Sequence, residues 1–239
     1  MNNPYRVPFL DLRVRDTALK QELLQAVDRV LTHGRILLGP EVDQFETKIA
    51  ELCQRKHAVG VGSGTDAVYF ALRALGVGAG DEVITTSLSW IATANAIALC
   101  GARPVFVDIT EDLTINAELI EAAITPRTKA ILPVHFTGRL CDMPRITQIA
   151  DEHGLYLVED AAPSFGASLN GAKAGSFGHI GAFSMNPMKL LNAYGEAGAV
   201  ATDDEELRDK LVSLRYAGTI NKEDSQEPSH NGRIDTIQA

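Results

Sequence analysis

From residue 58 onward, short apolar runs alternate with amphipathic stretches, and few folds accept that order. Strands are expected over 58–61, 82–85, 104–107, 130–134 and 155–159. The helical spacing of apolar residues between them predicts helices over 65–75, 91–100, 117–124 and 143–153. Buried strands separated by helices form a mainly parallel sheet covered on both faces. The expected fold class is therefore α/β: a mainly parallel mixed sheet in three layers, α/β/α. Two more strands are expected around 180–183 and 197–201. Asp203-Asp204-Glu205-Glu206 then reads as a capping box opening a helix to Tyr216. In such sheets ligands bind beyond the carboxyl ends of the strands.

Ahead of the sheet, Asp16 or Thr17 can cap a helix with Leu19, Leu23, Leu24, Val27, Val30 and Leu31 on one face, ended by Gly34. Gly39-Pro40 opens a second helix whose apolar positions are Val42, Phe45, Ile49 and Leu52. Residues 1–55 are thus expected to be a helical segment packing on a large domain, 56–218. From Gly218 to Gly232 the chain turns polar and reads as a surface loop. Asp235-Thr236-Ile237-Gln238-Ala239 looks like the first turn of another helix. Residues 219–239 are therefore read as a loop and helix start leading to a C-terminal domain missing from these 239 residues.

Composition narrows the partners. The net charge is −9, and no basic run interleaved with aromatics appears, so no nucleic-acid partner is expected. Cys53, Cys100 and Cys141 are far apart, which favours buried free thiols in a reducing compartment. The first residues, Met1-Asn2-Asn3-Pro4-Tyr5-Arg6, carry no apolar leader, and Gly, Pro or charge interrupts every long apolar stretch. No membrane segment is expected, and the location is read as cytoplasmic. The six histidines show no metal-ligand spacing, so no metal is expected. Only His135 falls near a strand end, where a satisfied structural histidine is the plainer reading.

The residues that could carry chemistry lie at strand ends. Asp160 closes the run Leu155-Tyr156-Leu157-Val158-Glu159-Asp160 among apolar neighbours, and a carboxylate there must be paired or functional. It could instead cap a helix, or Glu159 could be the buried one of the two. Lys189 ends Ser184-Met185-Asn186-Pro187-Met188-Lys189, with Gly195-Glu196-Ala197-Gly198 just beyond. A carboxylate at a strand's end followed by Ser-x-x-x-x-Lys is how many enzymes hold pyridoxal 5'-phosphate (PLP). The lysine forms the Schiff base and the carboxylate keeps the pyridine nitrogen protonated. Gly62-Ser63-Gly64-Thr65 sits at a strand-to-helix turn and could bind an anion through backbone amides and hydroxyls; a plain turn needs the same glycines. Trp90, the only tryptophan, could stack on a planar ring. The glycine fingerprint of a nicotinamide site is absent.

Taken in order, these stretches resemble the DegT/DnrJ-type nucleotide-sugar aminotransferases, which are fold-type-I PLP enzymes. Val7-Pro8-Phe9-Leu10-Asp11-Leu12, Gly62-Ser63-Gly64-Thr65-Asp66-Ala67, Pro133-Val134-His135 with Gly138, and Glu159-Asp160-Ala161-Ala162 carry the likeness. So do Gly175-Ser176-Phe177-Gly178, Phe183-Ser184 through Lys189, Gly195-Glu196-Ala197-Gly198, and the run from Asn231 to Ala239. The resemblance implies that Lys189 is the Schiff-base lysine, Asp160 the pyridinium partner and Trp90 the stacking residue. It implies that Gly64, Thr65 and Ser184 hold the phosphate, with Ser63 also among the cofactor-binding residues. It further implies that Asn231 reaches the phosphate of a neighbouring subunit, in a homodimer with shared sites. The implied reaction moves an amino group from a donor such as glutamate to a nucleotide-linked keto-sugar. Pro163 stands where the family often has a polar side chain. The alternative is a truncated remnant without turnover, acting as a PLP-binding or dimerisation module.

Overall fold

The computed structural model describes residue 7 and residues 9–239. The chain-start reading on residues 1–6, and Pro8 within the stretch from Val7 to Leu12, lie outside the described residues. Helices α1 (Thr17–His33) and α2 (Pro40–Leu52) come first, followed by β1 (His57–Val61), α3 (Gly64–Ala74), β2 (Glu82–Thr86), α4 (Ala92–Leu99) and β3 (Arg103–Val107). Next come a 3₁₀ turn (Ala117–Leu119), α5 (Ile120–Ala123), β4 (Thr128–Leu132), α6 (Met143–His153) and β5 (Tyr156–Asp160). A hairpin, β6 (Ser168–Leu169) and β7 (Ala172–Lys173), precedes β8 (Ile180–Ser184), β9 (Gly198–Thr202) and α7 (Glu205–Arg215). A second hairpin, β10 (Thr219–Ile220) and β11 (Asp224–Ser225), follows.

The seven-stranded sheet has the order β1-β9-β8-β5-β4-β2-β3. Only β9 runs against the others, pairing antiparallel with β1 and β8. The remaining pairings are parallel. The sheet is therefore mixed and mainly parallel, as the alternation demanded. One face packs Phe70, Leu72, Ile97, Leu211 and Leu214 of α3, α4 and α7 against Val59, Val83, Leu132, Val158 and Val200. The other face carries two clusters, Val42 and Ile49 of α2 with Phe183 and Ala199, and Ile146 and Ile149 of α6 with Ile84, Ile131 and Leu157. That is the α/β/α arrangement. Because all strands but β9 point one way, their carboxyl ends share one edge, and the start of β9 joins them there.

Several expectations shift in detail. Strand β4 ends at Leu132 because Pro133 cannot donate to a ladder, although Val134 still bridges Asp160. The helix expected over 117–124 is a 3₁₀ turn followed by one α-turn. Both small hairpins went unread. The first turns on Asn170 and Gly171, both at positive φ, the pairing a tight two-residue hairpin favours. Thr236 to Gln238 form a single hydrogen-bonded turn. The N-terminal segment divides. Helix α2 buries Val42, Ile49 and Ala50, whereas α1 buries only Val30 within this chain. Gly34, at φ 70, ends α1 and turns the chain, leaving Leu19, Leu24 and Leu31 exposed. The three cysteines are buried and free, as composition suggested. Among the described residues, no helix is long and apolar enough to cross a membrane.

Candidate functional site

A cavity of about 470 Å³ opens at the shared strand edge. Its walls include Ser63, Gly64 and Thr65 after β1, Ser89, Trp90 and Thr93 after β2, and Asp160 at the end of β5. Ser184 at the end of β8 and Asn186, Met188 and Lys189 beyond it close the opposite side. Seven residues picked from the sequence thus meet in one space. Asn231 does not. It is exposed, away from this chain's cavity, and its Oδ1 accepts from Arg233 Nε at 2.7 Å.

One corner is the start of α3. Ser63 is the N-cap of α3 and its Oγ accepts from the Asp66 amide at 3.0 Å. The same hydroxyl donates to Asp66 Oδ2 at 3.0 Å, so it is already committed to holding the helix start. The amides of Gly64 and Thr65 precede the first intrahelical bond and have no partner within the helix. Gly64 is required here by space. A Cβ on it would lie 2.4 Å from Ser184 Cβ. Gly64→Ala should therefore push α3 away from β8 and destabilise the fold by about 1–3 kcal/mol, read as a lower denaturant midpoint.

The opposite corner is acidic. Asp160 is 5% exposed, and Thr93 Oγ1 donates to its Oδ2 at 2.8 Å. The Ala162 amide donates to Oδ1 at 3.2 Å. Burial pushes the Asp160 carboxyl above the usual carboxylate range, and the Thr93 and Ala162 hydrogen bonds and the Lys189 charge oppose that push without cancelling it. Lys189 and Trp90 line the same cavity. Trp90 is 73% exposed, leaving an aromatic face uncovered at the cavity wall.

Glu159, whose side chain points to the other side of β5, is fully buried and does not line the cavity. Its carboxylate accepts from the amides of Gly175, Phe177 and Gly178 at 2.8, 2.7 and 2.8 Å. His135 Nε2 lies 3.2 Å from it. Burial opposes a charge on that ring, while the Cys141 and Glu159 contacts favour one and carry its pKa up. The geometry weighs against a full charge: the Cys141 amide donates to Nδ1 at 3.2 Å, which needs a lone pair there, so the ring is held as the neutral Nε2–H tautomer. His135 is thus a satisfied structural residue, and Glu159 and Asp160 are both buried with separate tasks. Sequence reading missed Ser89, Thr93, Asn186 and Glu196. Ser89 and Thr93 are one helical turn apart beside Trp90, and that spacing was the available signal.

The DegT/DnrJ/EryC1/StrS aminotransferase family model matches residues 17–239, from the start of α1 onward. The chain belongs to this family. A relative from Streptomyces venezuelae, dTDP-3-amino-3,4,6-trideoxy-alpha-D-glucose transaminase, is 47% identical over 235 residues, which is 98% of this chain and 62% of the relative. The crystal structure of S. venezuelae DesV with a ketimine intermediate superposes with a TM-score of 0.94 at 47% identity, covering 98% of this chain and 63% of that one. Bacillus subtilis NtdA with bound cofactor PMP superposes with a TM-score of 0.91 at 36% identity, covering 99% and 55%. The chain therefore spans less than two thirds of the length of these family members.

Proposed function

We propose that the chain binds PLP in this cavity and belongs to an enzyme that transfers an amino group to a nucleotide-linked keto-sugar. The observation that carries the reading is the division of one cavity into an acid corner, an amine and an anion corner, walled by a bare aromatic face. A flat ring with a basic nitrogen at one end and a phosphate near the other fits that division. The absent side chain at Gly64 leaves the backbone amides open to the phosphate, and Asp160 offers the one buried carboxylate lining the cavity. Family membership and the named activity of the S. venezuelae relative supply the substrate class.

Each residue then has a task. Asp160 would hold a proton on the ring nitrogen, and a cation there would in turn favour its ionised form. The Gly64 and Thr65 amides, with the Ser184 hydroxyl, would take the phosphate. Trp90 would cover one ring face and exclude water from it. Lys189 would hold the cofactor covalently and, once released, carry the proton to and from the reacting carbon through Nζ. When bound, PLP would supply an electron sink for the pair left as that proton departs. A homodimer, with Asn231 reaching a neighbouring site, is the assembly we favour. Exposed Met188, Leu190 and Tyr194 around the Lys189 loop support an apolar contact there.

The test uses purified chain loaded with PLP. The expected result is a yellow protein whose colour is lost on adding glutamate and returns on adding a keto-sugar nucleotide. No colour with PLP would overturn the cofactor assignment. Stable colour indifferent to every amino donor would favour the alternative of a binding or dimerisation module without turnover.

A further inference from the structure

Behind Asp160 lies a short hydroxyl chain that the proposed reaction does not itself require. Thr93 is 2% exposed on the first turn of α4, and its amide donates to the Trp90 carbonyl at 3.1 Å. That turn therefore sets the indole and the Thr93 hydroxyl together. Ser89 Oγ lies 2.7 Å from Thr93 Oγ1, which is itself 2.8 Å from Asp160 Oδ2. A hydroxyl has one proton to give. If Thr93 spends it on the carboxylate, Ser89 must donate to Thr93, and the chain has one direction: Ser89 to Thr93 to Asp160. Reversed, the Thr93 lone pairs would face a buried anion, which the low-dielectric interior penalises.

We propose that Thr93, oriented by Ser89, is a positioning residue that holds Asp160 ionised and fixed in one rotamer, aimed into the cavity. With the Ala162 amide on Oδ1 and Thr93 on Oδ2, both oxygens are pinned from behind. The free lone pairs then point to the space where a ring cation would sit. The titratable groups that act on Asp160 are Lys189, which also lines the cavity, and His135, and any positive charge on either lowers the carboxyl pKa. Glu159 is turned to the opposite side of the strand and occupied by three amides. Removing the Thr93 donor leaves the buried carboxylate, among the described residues, with the Ala162 amide alone. The inference rests on the cofactor reading for its purpose, though not for its chemistry.

Two readouts separate the two. In the cofactor-free chain, infrared titration follows the Asp160 acid band, assigned by its absence in Asp160→Asn. Thr93→Val should raise the pH at which that band disappears by about one to two units, the loss of one hydrogen bond to a charged group. Thr93→Ser should restore it, and Ser89→Ala should give a smaller rise. In the second readout, PLP binding is followed by quenching of Trp90, the only tryptophan. Thr93→Val should weaken binding about ten- to hundredfold, most at acid pH. An unmoved acid band in Thr93→Val, or a Thr93→Ser variant as impaired as valine, overturns the inference. Should the valine variant fail to fold, an unmoved band in Ser89→Ala overturns it instead. If wild-type chain does not bind PLP while the infrared shift appears, the cofactor reading falls and the hydroxyl chain stands.

Discussion

Lys189→Ala should leave the fold unchanged and remove turnover. The Lys189 side chain is half-buried at the cavity wall, and the hydrogen bond it makes to the fold is a backbone one, from its amide to Asn186 O at 2.8 Å. Truncating such a side chain changes stability by about 0.5 kcal/mol or less, so the unfolding curves should superpose. Function is another matter. A positioned proton carrier contributes roughly 10²–10⁴-fold, and the amine is also the group proposed to hold the cofactor. Borohydride should fix the cofactor on wild-type chain and not on the variant, and added glutamate should no longer bleach the colour. Lys189→Arg should not rescue, because a guanidinium stays protonated and has no free lone pair to give. Glutamate-driven bleaching at the wild-type rate in Lys189→Ala would remove this residue from the mechanism.

Much of this site was legible because its residues sit at strand ends, and strand ends follow from the alternation of apolar runs. Asp160 among apolar neighbours, Lys189 after a poorly periodic loop and the glycines at 62 and 64 each stood out by chemistry at an exposed edge. The supporting residues did not. Thr93 and Ser89 are ordinary near a helix start, and only the folded chain brings the Thr93 hydroxyl to the Asp160 carboxylate, 67 residues away in sequence, with Ser89 behind it. Glu196 reads as one residue of a glycine-rich turn until Asn186 Nδ2 meets its Oε1 at 2.7 Å across the loop. Helix α1 forms where the sequence placed it, between Asp16 and Gly34, yet buries only Val30 within this chain. Its apolar stripe is plain in the sequence, but periodicity says only that a face wants cover and not where the cover lies. Hairpins of two-residue strands are too short for any alternation to register, although Asn170-Gly171 announced its turn.

Glu159→Gln should be among the most destabilising single-atom changes available to this chain, although the residue touches no part of the cavity. Sequence alone left open whether position 159 or 160 was the buried acid; both are, on opposite sides of β5, and the difference lies in their partners. Both oxygens of Glu159 face donors: Phe177 and Gly178 amides at Oε1, the Gly175 amide and His135 Nε2–H at Oε2. A glutamine amide, in either orientation, turns its own N–H groups on two of those donors. Breaking such a buried charged cluster costs about 3–5 kcal/mol, seen as a large fall in the denaturant midpoint at neutral pH. The pH dependence identifies the cause. Burial pushes the Glu159 carboxyl up, but the His135 ring and the Gly178 and Gly175 amides hold it below its ordinary value of 4.5. A depressed carboxyl stabilises the fold above that ordinary value and loses its contribution as pH falls through the folded-state value. Wild type should therefore lose stability below about pH 4.5 while the glutamine variant, having nothing there to protonate, loses less. The gap between them should narrow in acid. A gap that stays constant with pH would mean that the variant's defect is one of shape, and that the carboxylate charge does not hold the 175–178 turn against β5.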